Sequence, residues 1–360
     1  MNIFLSGYFY NNLGDDLFYH IVTNRYPNHQ FHAMIHSDYA HTYQGLNNVT
    51  VYPQTKTLRA VDKLFCKVSP KWSLYARKAR KMDASLLIGG SMFMELHDDG
   101  SDIDRLAQMP QNYKKLFVMG INFGPHKTEA YQKACMDYFA TADDVCFRDK
   151  TSYDHFNQLP QTRLGSDIVF GIEKLCPKAE AKENTCLISV MDLGRKPSIA
   201  AYKEDYLQFL KKQILSQQAQ GRRVVLVSFS QAEGDEAAIS QLLEYLPDQS
   251  KEAVETLCYD GTNWKAVCEK ISAAACLIAT RFHSMVLGLS YGVPTIAISY
   301  SNKTFQVLQD LGAAHKAILP EQLKDLEDAQ ISPITDICTD CLKESAEAHF
   351  EKLDQFLETF

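Results

Sequence analysis

The chain has no excess of positive charge: 37 Lys+Arg stand against 44 Asp+Glu, a formal net charge of −7 over 360 residues. A general nucleic-acid binder needs that excess to displace counterions from phosphates, so nucleic acid is not an expected partner. Cysteine is too dilute for a disulfide scaffold, with ten residues scattered between Cys66 and Cys341, several inside apolar runs such as Ala275-Cys276-Leu277. Only Cys338 and Cys341 form a C-x-x-C pair, and no second pair or nearby His completes a zinc site. They read as incidental thiols in a reducing compartment. No run approaches the roughly 18 apolar residues that span a bilayer. The start, Met1-Asn2-Ile3-Phe4-Leu5-Ser6-Gly7, has neither the basic region nor the apolar core of a signal peptide. These absences lead us to expect a soluble cytoplasmic protein. Internal repeats and low-complexity tracts are also missing.

What is present is an alternation of short apolar β-type runs with longer amphipathic ones, the pattern of βαβ units and parallel sheets. Strands are expected at 3–6, 31–35, 49–52, 85–88, 116–120, 145–147 and 168–170, then at 186–190, 224–229, 255–259, 276–279 and 295–299. Near-continuous apolar runs such as Val224-Val225-Leu226-Val227 suit strands covered on both faces. The polar stretch 173–184, with Pro177, reads as a linker. The expectation is an α/β chain of two Rossmann-like domains facing across a cleft, 1–175 and 184–330, with a helical C-terminal segment, 331–360, packing back on them.

The strongest chemical signal is Thr280-Arg281-Phe282-His283-Ser284, followed by Gly292-Val293-Pro294 and an apolar strand leading to Lys303. An apolar strand ends at Thr280, which puts Arg281 and His283 at the carboxyl edge of a sheet where a helix begins. Open α/β sheets bind ligands at that edge, and a helix start favours anions. Arg281 offers a fork suited to carboxylate or phosphate, and His283 a proton donor or acceptor near neutral pH. The plain alternative is that Arg281 pairs with a structural carboxylate and His283 caps the helix. Near the N-terminus, Gly7 follows a strand, and Asn11-Asn12-Leu13-Gly14-Asp15-Asp16 precedes a helix that Asp15 can cap. The spacing is not G-x-G-x-x-G, so no dinucleotide site is supported. This loop is either a structural turn or a ligand-binding loop. Gly89-Gly90-Ser91 lies at another strand end, and Arg148-Asp149 is either a ligand contact or an ion pair at a helix start.

Taken in order, these elements resemble the polysaccharide pyruvyltransferase family. The resemblance rests on the 7–16 loop with its N-x-G-D at Asn12–Asp15, on Ile88-Gly89-Gly90-Ser91, and on Gly120-Ile121-Asn122-Phe123-Gly124-Pro125. It continues through Arg148-Asp149-Lys150-Thr151-Ser152 with Asp167, and through the R-x-H block with Lys303. It implies a GT-B-like two-domain fold. The implied reaction transfers a pyruvyl group from phosphoenolpyruvate to a sugar of a cell-surface polysaccharide or its lipid-linked precursor, forming a ketal. No cofactor or metal is called for. On the donor side it implies Arg281, Phe282, His283, Ser284 and Lys303, with Arg148 and Arg195 as further contacts; Arg281 and His283 are the catalytic pair. On the acceptor side it implies Gly7, Asn11, Asn12, Gly14, Asp15, Gly89, Gly90 and Ser91. The chain departs from the pattern in a short glycine run at 89–91 and in an arginine, Arg195, that comes late after the first strand of the second half. Two other readings use the same features: a GT-B nucleotide-sugar glycosyltransferase, and a saccharide-binding relative without donor chemistry.

Three further clusters stand out in the sequence. Asp98, Asp99, Asp102 and Asp104 read as a solvated loop rather than a metal site, because no strand leads directly into the D-x-D. His32 and His36 lie in an expected strand, where four residues span roughly 13 Å, too far to share a metal. From Lys56 to Lys81 there are nine basic residues (Lys56, Arg59, Lys63, Lys67, Lys71, Arg77, Lys78, Arg80, Lys81) against one acid, Asp62. That is +8 in 26 residues, leaving −15 for the rest of the chain. Leu58, Val61, Phe65 and Val68 fall at helical spacing, with Trp72 and Tyr75 beyond. The segment reads either as a helix with its apolar stripe on the core or as an element touching an anionic membrane. In the second case it would bring the enzyme to a lipid-linked precursor at the inner face of the cytoplasmic membrane.

Overall fold

A strand that is apolar on both faces needs helices on both sides of its sheet, and the chain supplies them by alternation. The computed structural model describes residues 1–43, 45–69, 73–106, 109 and 114–359, with the side chains of 66–68 also left aside. Lys71 and Trp72 of the basic segment lie outside the described residues. The chain forms two parallel α/β sheets in two compact units. One unit comprises Met1–Tyr10, Phe18–Ile168 and Glu344–Phe360; the other comprises Asn11–Leu17 and Val169–Lys343.

In the first unit the strands are β1 (Asn2–Ser6), β2 (Gln30–His36), β3 (Val49–Gln54), β4 (Ala84–Ile88), β5 (Leu116–Ile121), β6 (Asp144–Phe147) and β7 (Thr162–Leu164). Their order is β3-β2-β1-β4-β5-β6-β7, so the order reverses between β1 and β4, with Ile3 beside both Phe31 and Ala84. Helices α1 (Leu13–Arg25), α2 (Lys56–Val68), α3 (Leu74–Ala79), α4 (Ser101–Leu106), α5 (Glu129–Phe139) and α6 (Lys150–Phe156) intervene. An aromatic core of Phe93, Phe123, Phe139, Phe147 and Phe156 fills the space between β5, β6 and helices α5 and α6, with Phe123 edge-on to Phe156 at 4.8 Å.

In the second unit the strands are β8 (Thr185–Ser189), β9 (Arg223–Ser228), β10 (Val254–Cys258), β11 (Cys276–Ala279) and β12 (Thr295–Ala297), in the order β10-β9-β8-β11-β12. Here the order reverses between β8 and β11. The main helices are α7 (Lys203–Ala219), α8 (Asp235–Glu244), α9 (Asp248–Glu252), α10 (Trp264–Ala273), α11 (Phe282–Ser290) and α12 (Asn302–Asp310). The chain ends in α13 (Thr339–Glu347) and α14 (Glu351–Leu357).

Eleven of the twelve expected strands coincide with observed ones to within a residue or two at each end. The exception is 168–170, which is a turn of 3-10 helix over Ile168–Lys174; its apolar side chains are buried without being a strand. The seventh strand is instead β7, three residues long, whose Arg163 pairs with Asp144 at 2.6 Å and so lacks the apolar signal. Cys338 and Cys341 are joined in a disulfide rather than standing as separate thiols: one helical turn apart at the start of α13, their Cα atoms are 5.5 Å apart. Asp102 is buried and accepts the backbone N–H groups of Leu96 and His97 at 2.6 and 2.8 Å, a loop-shaping role. Among the described residues no group of three His, Cys, Asp or Glu side chains gathers to hold a metal, and no helix is long and apolar enough to cross a membrane.

The C-terminal residues are fastened to the first unit by ion pairs and a histidine. Arg25 pairs with Glu347 at 2.8 Å and with Asp354 at 2.7 Å. His349 is buried; its Nδ1 accepts the N–H of Gly120 at 3.2 Å and its Nε2 lies 2.7 Å from the carbonyl of Ser166, the pattern of a neutral ring protonated on Nε2. Burial pushes its pKa from 6.5 down to about 4. Between these values the unfolded chain takes up a proton that the folded chain refuses, so stability falls as pH drops from 6.5 towards 4. The expected loss is about 3 kcal/mol. It should be read as a declining thermal midpoint over that window, and His349→Gln should remove this contribution to the slope.

Candidate functional site

The second sheet opens at its reversal point, where β8 and β11 run side by side and their carboxyl ends part. Ser189, the last residue of β8, holds the turn out of β11. Its Oγ accepts the N–H groups of Thr280 (2.9 Å) and Arg281 (3.1 Å) and lies 2.7 Å from Ser284 Oγ. Ser284 Oγ also donates to the Arg281 carbonyl at 2.6 Å. Thr280 Oγ1 meets the Tyr206 hydroxyl at 2.9 Å. The R-x-H turn is therefore set by four hydroxyls, those of Ser189, Ser284, Thr280 and Tyr206, and helix α11 starts at Phe282 with its positive dipole end at the sheet edge.

The Arg281 guanidinium is buried and engaged. Its Nε donates to Asp235 Oδ2 at 3.0 Å, its Nη2 contacts Asp235 Oδ1, and its Nη1 reaches Glu233 Oε2 at 2.5 Å. Asp235, fully buried as the first residue of α8, also accepts the N–H groups of Phe229 and Ser230, each at 3.0 Å. Burial works to lower the Arg281 pKa, but the two carboxylates more than offset it, so the side chain stays cationic. For Glu233, burial works upward and is outweighed by Arg281, which holds its carboxyl at about 2. Of the two alternatives for Arg281, the structure displays the pairing with structural carboxylates.

Glu233 ties the expected ligand loop to this clamp. Its Oε1 accepts from Asn12 Nδ2 at 2.9 Å, while Asn12 Oδ1 accepts the N–H of Gly14 at 3.2 Å. Leu13 N–H donates to the Phe229 carbonyl at 3.0 Å, and the Tyr259 hydroxyl to Asp16 at 2.8 Å. These bonds explain why Asn11–Leu17 groups with the second unit. Gly14 faces the ring of His283 so closely that a Cβ there would overlap Nδ1. The buried His283 ring thus lies between Gly14 and Phe282, whose ring centroid is 5.0 Å away. Asn11 takes a left-handed backbone conformation (φ 48°), and Asp15 and Asp16 occupy the first turn of α1.

Several cations with access to solvent lie near this cluster. Arg195, late in sequence, reaches it because the chain turns through 193–195: its Nη1 donates to the Ala232 carbonyl at 2.8 Å and its guanidinium lies across Gly234. Lys196 Nζ is 3.9 Å from Glu233, and Lys203 Nζ is 3.2 Å from Asp192. Lys303 Nζ stands 5.4 Å from the Phe282 ring centroid. The second unit therefore holds all of Asn11, Asn12, Gly14, Asp15, Arg195, Arg281, Phe282, His283, Ser284 and Lys303, and the contacts above join all but Asn11 and Asp15.

Gly7, Gly89, Gly90, Ser91 and Arg148 belong to the first unit, at the carboxyl edge of its own sheet. Arg148 is buried and pairs with Asp167 at 2.8 Å and with Asn122 Oδ1 at 2.6 Å, and Asp149 caps α6 through Ser152 N–H at 2.8 Å. The ion-pair alternative for Arg148 is the one displayed, with Asp167 in place of Asp149 as partner. Gly90 lies against the Arg148 guanidinium, where any Cβ would come within 2.7 Å. Ser91 Oγ donates to Asn122 Oδ1 at 3.2 Å.

Sequence reasoning missed Glu233, Asp235, Lys196 and Tyr259. A signal for the first two exists: after the apolar strand ending at Ser228, Glu233-Gly234-Asp235 places two acids around a glycine at a helix start.

A family profile described as polysaccharide pyruvyl transferase matches residues 12–302. The amylovoran biosynthesis protein AmsJ of Erwinia amylovora is 22% identical over 274 residues, which are 70% of this chain and 64% of that protein, so the match spans under two thirds of the relative. Among solved structures, UDP-GlcNAc 2-epimerase of Methanocaldococcus jannaschii, in complex with UDP-GlcNAc and UDP, superposes with a TM-score of 0.61 at 10% identity, covering 99% of this chain and 100% of that one. HepE of Anabaena, in complex with UDP and glucose, gives 0.53 at 13% identity, covering 100% and 99%. These likenesses establish a GT-B-like fold.

Removing the Arg281 cation strands two carboxylates, a change that typically costs about 3–5 kcal/mol for a buried pair. Arg281→Ala should lower the unfolding free energy by that order in denaturant titration. Adding Asp235→Ala should cost less than the sum of the two single changes. Lys150→Ala, which breaks an exposed pair with Asp154, should stay within about 0.5 kcal/mol.

Proposed function

The chain belongs to the polysaccharide pyruvyl transferase family, and we propose that it transfers a pyruvyl group from phosphoenolpyruvate to a sugar of a cell-surface polysaccharide or its lipid-linked precursor, forming a pyruvate ketal. The observation that carries this reading is the carboxyl edge of the second sheet. There His283 is fixed between Gly14 and Phe282 at the start of α11, and the solvent-reaching cations Arg195 and Lys196 lie against Gly234 and Glu233 of the clamp that holds Arg281.

In the proposed reaction the donor's methylene carbon takes a proton, and C2 becomes electrophilic. One sugar hydroxyl oxygen bonds to C2, a second displaces the C2–O bond to phosphate, and inorganic phosphate leaves. Of the two hydroxyl protons, one is made good on the new methyl group and one departs with phosphate. His283 carries the proton between oxygen and carbon. Arg195, Lys196 and the N-terminal end of α11 receive the donor's phosphate and carboxylate. Lys303 is a further donor contact. Arg281 acts through what it holds: by fixing Glu233 it fixes Asn12, and with it the turn that places Gly14 against His283. Gly7, Gly89, Gly90 and Ser91 of the first unit are assigned to the acceptor sugar. We place the reaction in the cytoplasm, where phosphoenolpyruvate is made.

The test is phosphate release from phosphoenolpyruvate with a panel of saccharides, alongside thermal shift with phosphoenolpyruvate and with UDP-sugars. Phosphoenolpyruvate should raise the thermal midpoint and saccharides should trigger phosphate release. His283→Ala should abolish release while keeping the fold. Arg195→Ala and Lys196→Ala should each raise KM for the donor about 10–150-fold, the equivalent of one lost charge-assisted contact of about 1.5–3 kcal/mol. Stabilisation by a UDP-sugar alone would replace this reading with glycosyl transfer. Saccharide binding without phosphate release from any donor would leave a binding protein.

A further inference from the structure

The basic segment 56–81 plays no part in the chemistry above, and its first helix, α2, leaves Lys56–Val61 and Lys63–Phe65 exposed. Helix α2 is capped by Thr55, whose side chain accepts from Leu58 N–H at 3.3 Å, and Asp62 accepts the N–H of Leu74 at 2.5 Å. The helix is thus well formed and tied to α3. Yet its apolar stripe faces solvent: Leu58 is 44% exposed, Val61 40%, Leu64 64% and Phe65 39%. The alternative in which this stripe packs on the core does not hold. Scattered exposed apolar residues need no explanation, but four on one helix face form a patch that does.

Beside the stripe, at the exposed edge strand β3, is a cavity of ≈ 440 Å³. Its walls include Met34, Tyr52, Leu58 and Leu74, and Arg77 and Lys81 also line it. Helix α3 holds this side firmly: Ala76 and Ala79 are buried, and Tyr75 packs edge-on to Phe4 at 4.6 Å. An apolar face bordered by cations on a rigid support matches an interface that is apolar inside and anionic outside.

We propose that α2 and the adjoining α3–β3 cavity dock the protein on an anionic phospholipid bilayer. Helix α2 lies in the interface plane with Leu58, Val61, Leu64 and Phe65 turned into the acyl boundary. Arg59, Lys63, Arg77 and Lys81 meet headgroup phosphates. Charge complementarity selects this occupant over a general apolar partner, since a +8 segment stands out from a remainder of −15. The proposal does not depend on pyruvyl transfer, because vesicle binding requires no donor.

The experiment is co-sedimentation of the full chain with phosphatidylcholine vesicles, with or without phosphatidylglycerol. Binding should require phosphatidylglycerol and weaken with added salt. Arg59→Gln with Lys63→Gln should reduce partitioning about 30-fold, at about fivefold for each charge near an anionic surface. Leu64→Glu should abolish partitioning with an unchanged thermal midpoint, as the side chain touches no core. Equal sedimentation with neutral and anionic vesicles, or no loss in these variants, would overturn the proposal. So would a concentration-dependent dimer that Leu64→Glu dissociates while vesicle binding persists, because a second copy would then be the occupant.

Discussion

The buried charge of Arg281 is the constraint on which the second unit's site depends. A guanidinium taken out of water is tolerated only when carboxylates and hydrogen bonds replace its hydration. Asp235 and Glu233 supply this, and each is itself held: Asp235 by two backbone N–H groups at the end of β9, Glu233 by Asn12. The clamp therefore links three stretches distant in sequence, 11–17, 229–235 and 280–284. Buried pairs of this sort contribute little net stability against an apolar replacement. What this one contributes is a single permitted arrangement in which Gly14 meets His283.

The first unit uses the same device. Arg148 follows β6 as Arg281 follows β11, and it too is buried against an acid, Asp167, with Asn122 completing its hydrogen bonds. Gly90 leaves room for it. Each sheet thus carries a paired arginine at its carboxyl edge, close to the reversal of strand order. In both cases the residue that looks in sequence like a free anion receptor is internal scaffolding. In the second unit the cations that reach solvent beside the clamp are Arg195 and Lys196.

Charge is distributed as unevenly on the surface as in the interior. The excess of acids over bases hides a basic helix with an uncovered apolar face, which Thr55 caps and Asp62 ties to the firmly seated α3. Were the stripe turned to the core, its cations would be an ordinary solvated face. Exposure of the stripe sets it apart from such a face.

Sequence alone determined eleven of the strands and their parallel arrangement, because the central ones, covered on both faces, are near-continuously apolar and that pattern is local. It also determined which loops face the carboxyl edges, the R-x-H turn and the N-x-G-D loop among them, and through their order the family. It misread 168–170, where buried apolar residues form a helical turn, and β7, where Arg163 replaces the apolar signal. Tertiary structure decided the partners. Nothing near Arg281 in sequence announces Asp235 or Glu233, and nothing near Asn12 announces a carboxylate 221 residues away. Whether Leu58 and Leu64 face core or solvent was likewise undetermined, since periodicity gives a helix its stripe but not the neighbour that covers it. Ion pairs and covered faces are relations between distant segments; only the folded chain brings those segments within reach.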